Sequence, residues 1–292
     1  MRSSTTIISA AIIAVIAAYA TVKIAIPHDT HTEVKKESAF DRVMRTGMIR
    51  CGYIPYAPYF MKDTNTGKLS GIFYELTEEM AKTLSLKVDW SYETTFATYS
   101  QDAKNGRFDV YCAGLWAVPD DARNVDYTNP VNFVGLGVYV RADDNRFDGN
   151  IGLLNDKQYK FATVDGEMSD IVAKQDFSNA QTISHPNNTE VSQLALDLTT
   201  KKADAMVVEK AVADEYLVKN PGSLKNIAID KPIRLFGTVW AVPKGEWNLI
   251  SMFNTTIDEM VNSGFAEKVV AKYEKTPGSF YPKAVPFNRG NK

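Results

Sequence analysis

A strand and helix alternation that runs through twice, with a long extended run between, constrains this chain more than any other feature. Residues 48–53 read as a strand, and Phe73, Leu76, Met80 and Leu84 then recur at helical spacing. Residues 87–92 alternate as a second strand. Phe96, Tyr99 and Ala103 mark a helix stopped at Gly106, and 108–113 form a third strand. Short connections in this order favour parallel pairing and an α/β layer architecture. Residues 131–141 are a longer β-type run, broken by Ala142-Asp143-Asp144-Asn145, and the pattern begins again. Strands at 161–164, 181–184 and 204–208 alternate with helices carrying Met168, Ile171 and Val172, then Val191, Leu194 and Leu198 behind an Asn188 cap, then 212–218. A further β-rich run, 233–242, leads to a helix with Trp247, Ile250, Phe253 and Ile257, and a last helix follows Gly264.

Two such units joined by two extended runs predict a two-lobed α/β fold. Lobe 1 spans 38–135 plus 238–275, lobe 2 spans 139–234, and 276–292, with Pro277, Pro282 and Pro286, is an irregular tail. Ligands of open α/β sheets bind outside the carboxyl ends of the strands, so both strand sets are expected to face one shared cleft. Residues 108–123 are the stretch to watch. Their strand breaks at Ala113-Gly114 and presents Trp116 and a cluster of charges from a loop.

Local signals fill in the frame. Ser38 caps a short helix with Phe40, Val43 and Met44 on one face, ended by Gly47. Pro55 and Pro58 deny regular structure to 54–60, and the turn 63–67 sets Phe60-Met61 against Leu69-Ser70 in a small hairpin. At the N-terminus, Arg2, an apolar run and Ala18-Tyr19-Ala20 suit a secretory signal peptide over 1–26. An uncleaved membrane anchor of the same residues is the rival, and either way the rest is exported, with 27–37 as a tether. Cys51 and Cys112 lie in strands that could be neighbours in one sheet. Free buried thiols are favoured over a bridge, that being the usual state of small hydrophobic cysteines.

Composition excludes some function classes. A net charge of −2 over 292 residues gives no footprint for nucleic acid. His28, His31 and His185 are scattered and, with two cysteines, offer no zinc spacing. No cofactor is expected, and no nucleophile–base pair stands out.

Gly47-x-Ile49-Arg50-x-Gly52, Tyr56-Ala57-Pro58-Tyr59-Phe60 and Gly67-Lys68-Leu69-Ser70-Gly71-Ile72 are followed by Gly106-Arg107-Phe108-Asp109, Asp126-Tyr127-Thr128-Asn129-Pro130 and Lys202-Ala203-Asp204-Ala205. In this order and spacing they resemble the type II periplasmic solute-binding proteins, in particular the polar amino-acid branch, extracellular family 3. The resemblance covers about 40–275. It implies a monomeric clamp in the periplasm that closes on a small solute and presents it to an ABC transporter permease in the inner membrane.

Carried over residue by residue, the resemblance places Tyr56 and Phe96 as aromatic faces on the ligand, Gly114 at the strand end, and Glu209 where an Asp commonly holds an α-ammonium group. Counted without gaps, the carboxylate-binding Arg of the family falls at Asp121; Arg123, two residues on, is the candidate to replace it. Trp116 stands where small hydroxyl residues usually meet the ligand, and Glu167 occupies the turn of lobe 2 that is usually Thr-rich. These departures favour a larger, more aromatic or more cationic ligand than an ordinary amino acid. Two further readings use the same clamp: a dehydratase with Glu167 or Glu209 as general acid, and a tethered ligand-sensing domain.

Overall fold

The computed structural model describes residues 37–186, 189–228 and 231–283. The signal or anchor segment 1–26, most of the tether and the Asn188 cap lie outside the described residues. Among the described residues no helix is long and apolar enough to cross a membrane.

The elements follow the alternation. Helix α1 (Ala39–Thr46) starts at Ser38, whose hydroxyl accepts from Asp41 N, and ends at Gly47 in the left-handed conformation. Strand β1 (Met48–Tyr53), the hairpin β2 (Met61–Lys62) and β3 (Leu69–Ser70), helix α2 (Ile72–Thr83), β4 (Lys87–Glu93), α3 (Tyr99–Lys104) and β5 (Val110–Trp116) complete the first unit. Strands β6 (Val125–Tyr127) and β7 (Asn132–Arg141) lead to the second unit: β8 (Lys160–Val164), α4 (Met168–Asp176), β9 (Gln181–His185), α5 (Val191–Thr199), β10 (Ala205–Glu209) and α6 (Lys210–Lys219). Strands β11 (Leu224–Asn226) and β12 (Leu235–Pro243), helices α7 (Trp247–Asn262) and α8 (Phe265–Tyr273), and β13 (Phe280–Pro282) close the chain.

The main strands run in the order β4-β1-β5-β12-β7-β10-β8-β9. Strand β1 is parallel to both β4 and β5, and β8 is parallel to both β9 and β10, so each unit keeps the parallel core expected of it. Strand β7 joins them: Asn132 to Gly135 pairs antiparallel with β12, and Leu136 to Val140 pairs with β10. Strand β12 pairs with that first part of β7 and then with β5 and β6. The molecule is a two-lobed α/β fold with β7 and β12 as its crossover strands.

The repeated Asp before β5 and β10 has a structural explanation. Asp109 is fully buried, accepts from Arg50 N at 2.8 Å and is ion-paired with Arg42 and Arg50. Asp204 accepts from Lys160 N at 3.0 Å and from Arg146 at 2.7 Å. In both units the carboxylate ties the start of one strand to its parallel neighbour.

Two expectations are corrected here. Cys51 and Cys112 form a disulfide, with Cα atoms 5.5 Å apart. Periodicity finds strands but not their register, and the register sets Cys51 beside Val110, next to Cys112 across the ladder. The tail is not wholly irregular either, because β13 pairs antiparallel with the first residues of β7. Strand β7 has an otherwise open edge there, and Pro282 at the end of β13 suits a peripheral strand.

Candidate ligand cleft

The carboxyl ends of β1, β5, β8 and β10 converge on one cavity. Tyr56, Phe96, Gly114, Trp116, Glu167 and Glu209 all line it. Arg123 does not: it ends a 3-10 turn (Asp121–Arg123) and is exposed, while Asp121 at the start of that turn faces the cavity.

The aromatic wall is built by a turn and a loop. Tyr56 and Phe60 exchange backbone hydrogen bonds at 2.7 and 3.0 Å, closing the proline-containing turn that holds Tyr56 and Tyr59 side by side, ring centres 6.0 Å apart. Phe96 lies in the loop before α3, not on that helix, and meets Tyr56 edge-on at 5.5 Å. Trp116, half-buried, stacks on Phe236 of β12 at 4.6 Å with 13° between the planes. Gly114 runs at φ +75°, and a Cβ there would stand 2.4 Å from the ring of Phe73, so only glycine lets β5 pass α2 and deliver Trp116 to the cleft.

The acidic groups come from strand–helix junctions. Glu167 and Glu209 occupy the N-cap positions of α4 and α6 in extended conformation, and neither side chain caps its helix. Glu209 instead accepts from the Tyr56 hydroxyl at 3.1 Å, and Glu167 accepts from the Ser169 hydroxyl at 3.2 Å. Burial pushes the carboxyl of Glu209 up to about 7, against the bonds it accepts. Burial, then the charge of Glu209, pushes Glu167 up to about 8. Desolvation holds both tyrosine hydroxyls, of Tyr56 and Tyr59, well above the ordinary phenol range, helped by Glu209 and Glu167 at Tyr56 and by Glu209 at Tyr59. Across the cavity, Asp121 accepts from the Tyr99 hydroxyl at 2.8 Å, and Tyr99 in turn meets the Tyr127 hydroxyl at 3.0 Å.

Tyr59, Tyr99 and Asp121 are cleft residues the site reading passed over. Tyr59 lay inside the motif that supplied Tyr56, whereas Tyr99 read as one member of an apolar helical stripe. Tyr59 is only 3% exposed, and its hydroxyl has no hydrogen-bond partner among the described residues. A buried polar atom of this kind costs about 1–3 kcal/mol until something satisfies it.

The raised carboxyls predict how the empty protein responds to pH. Their folded pKa values lie above the ordinary 4.5. The folded state therefore binds their protons more tightly than the unfolded chain does, and stability is lost as pH rises from about 4.5 through 8. The melting temperature of ligand-free protein is expected to fall by several degrees between pH 5 and 8.5. A Glu167→Gln/Glu209→Gln variant should show a flatter profile in a calorimetric scan.

A model of the bacterial extracellular solute-binding proteins, family 3, matches residues 49–276. The "Probable histidine-binding protein" of Campylobacter jejuni subsp. jejuni is 27% identical over 248 residues, 84% of this chain and 91% of that protein. Among solved structures, the ancestral amino acid-binding protein AncCDT-1, a precursor of cyclohexadienyl dehydratase, superposes with a TM-score of 0.71 at 25% identity, covering 82% of this chain and 100% of that one. An ancestral arginine-binding protein bound to arginine gives 0.65 at 26% identity, covering 78% and 98%. Fold, crossover strands and sequence match agree over most of the described chain, and the protein belongs to the bacterial extracellular solute-binding proteins of family 3.

Proposed function

We propose that this protein is an extracytoplasmic solute-binding protein of an ABC transporter, closing its two lobes on a small amino-acid-like or other polar, aromatic-compatible solute. The observation that carries the reading is the cleft itself. Tyr56, Phe96 and Trp116 come from the unit built on β1, β4 and β5, and Glu167 and Glu209 from the unit built on β8, β9 and β10. A solute that touches both sets stabilises the closed arrangement over the open one, which is how binding becomes a conformational signal. The relatives named as binding proteins support the same role. A transporter permease is the partner this role requires, and a monomer suffices for it.

Binding without turnover is the expected result when purified protein is titrated with small solutes at one-to-one stoichiometry. Trp116→Ala should weaken that binding about fivefold, because one stacked aromatic face is worth on the order of 1 kcal/mol, with a smaller effect on melting temperature. A large stability loss with unchanged affinity would assign Trp116 to packing alone. Chemical conversion of a cyclohexadienyl acid would instead favour the dehydratase reading, with Glu167 or Glu209 as the acid.

A further inference from the structure

Among the described residues the charged groups lining this cavity are all acidic: Asp121, Glu167 and Glu209 face it, and Lys62 and Lys219 line only the adjoining part of the cleft. Asp121 accepts from the Tyr99 hydroxyl, and Glu209 from the Tyr56 hydroxyl and a backbone N–H; among the described residues neither carboxylate is paired with a side-chain cation. Among the described residues no cluster of His, Cys, Asp and Glu is arranged to hold a metal ion. Tyr59 lines the same cavity beside Tyr56, and its buried hydroxyl has no hydrogen-bond partner among the described residues, a donor that a polar occupant would satisfy. An anionic group placed about 5 Å from one of these carboxylates would be repelled by an amount worth roughly a hundredfold in affinity at an effective dielectric of about 20.

Building on the solute-binding reading above, we infer that the occupant of this cleft is an organic amine that carries no carboxylate. Its cationic nitrogen is held by Glu209 and Glu167 beside the Tyr56 and Tyr59 hydroxyls. Its apolar body lies against the aromatic wall of Tyr56, Phe96 and Trp116, whose faces also attract a cation. Asp121, at the opposite side beside Tyr99, accepts a second nitrogen or repels a carboxylate carried there. The buried pair supports this arrangement. Each carboxyl of Glu167 and Glu209 resists ionisation while the cleft is empty, and a cation between them removes that penalty.

Titration calorimetry at pH 8.5 with matched probes tests the inference: agmatine against L-arginine and L-arginine methyl ester, cadaverine against L-lysine, and histamine against L-histidine. At least one amine is expected to bind at least about a hundredfold tighter than its parent amino acid, with the methyl ester closer to the amine than to the acid. Asp121→Arg should reverse the order within that pair, and Arg123→Ala should leave it unchanged. If Asp121→Arg does not fold, Asp121→Asn keeps an acceptor for Tyr99 and should narrow the preference about tenfold. Tighter binding of the parent amino acids would overturn the inference and leave the solute-binding reading intact. Failure of every probe would also overturn it. The broader reading would fall only if the protein also bound no other small solute.

Discussion

Glu209→Gln is expected to weaken binding of a cationic solute about a thousandfold while making the empty protein more stable above pH 7. The first effect follows from burial. Glu209 is 5% exposed at the end of β10, and removing one partner of a buried, hydrogen-bonded charge pair costs about 2–5 kcal/mol. The second follows from the raised pKa of about 7, because the amide has no charge to desolvate. Gln still offers an oxygen to the Tyr56 hydroxyl, so the bond at 3.1 Å is kept and the change isolates the charge. Opposite signs for affinity and stability, measured by calorimetry and thermal unfolding at pH 8, are the mark of a binding carboxylate. A loss of both would make Glu209 a structural group.

The other large effect lies in the disulfide. The Cys51–Cys112 bridge closes a loop with a sequence separation of 61. In the chain-entropy account such a loop stabilises by about 4 kcal/mol, chiefly by restricting the unfolded chain. Cys51→Ser/Cys112→Ser is expected to lose stability of that order in denaturant titration. Ligand affinity of the remaining folded protein should stay within a few-fold of wild type, because neither cysteine lines the cleft. A loss below about 1 kcal/mol would mean that the bridge is incidental to folding.

The architecture was legible in the sequence because it rests on periodicity. Strands alternate, helices repeat at three and four residues, and caps such as Ser38 and Gly47 mark their ends, so β1 and α1 fall where the sequence places them. Order then favours parallel pairing, and only a long run such as β7 can leave one strand set and join the other. Register was not legible. The free thiols expected at Cys51 and Cys112 and the irregular tail at β13 both depended on which residues face each other across a ladder, which spacing along one chain does not encode.

The cleft divides the same way. Trp116 was sought at a strand end because an α/β sheet opens at its carboxyl edge, whereas Glu209 came from the family resemblance; both line the cavity. Arg123 does not. Asp121 and Arg123 are two residues apart in a tight turn, and the backbone direction there sends one inward and leaves the other exposed. Tyr99 was read as core, and its ring does pack on Tyr111, but its hydroxyl reaches the cleft through Asp121. An amphipathic pattern shows which face of a helix is buried and not what the polar tip of a buried tyrosine meets.

Native mass spectrometry of protein purified gently from its own source decides what the cleft holds. One small molecule per chain is expected, whose fragmentation shows a basic nitrogen and no carboxyl group, released when Glu209→Gln is introduced. A retained amino acid or other carboxylate in the cleft, surviving that substitution, would contradict this expectation.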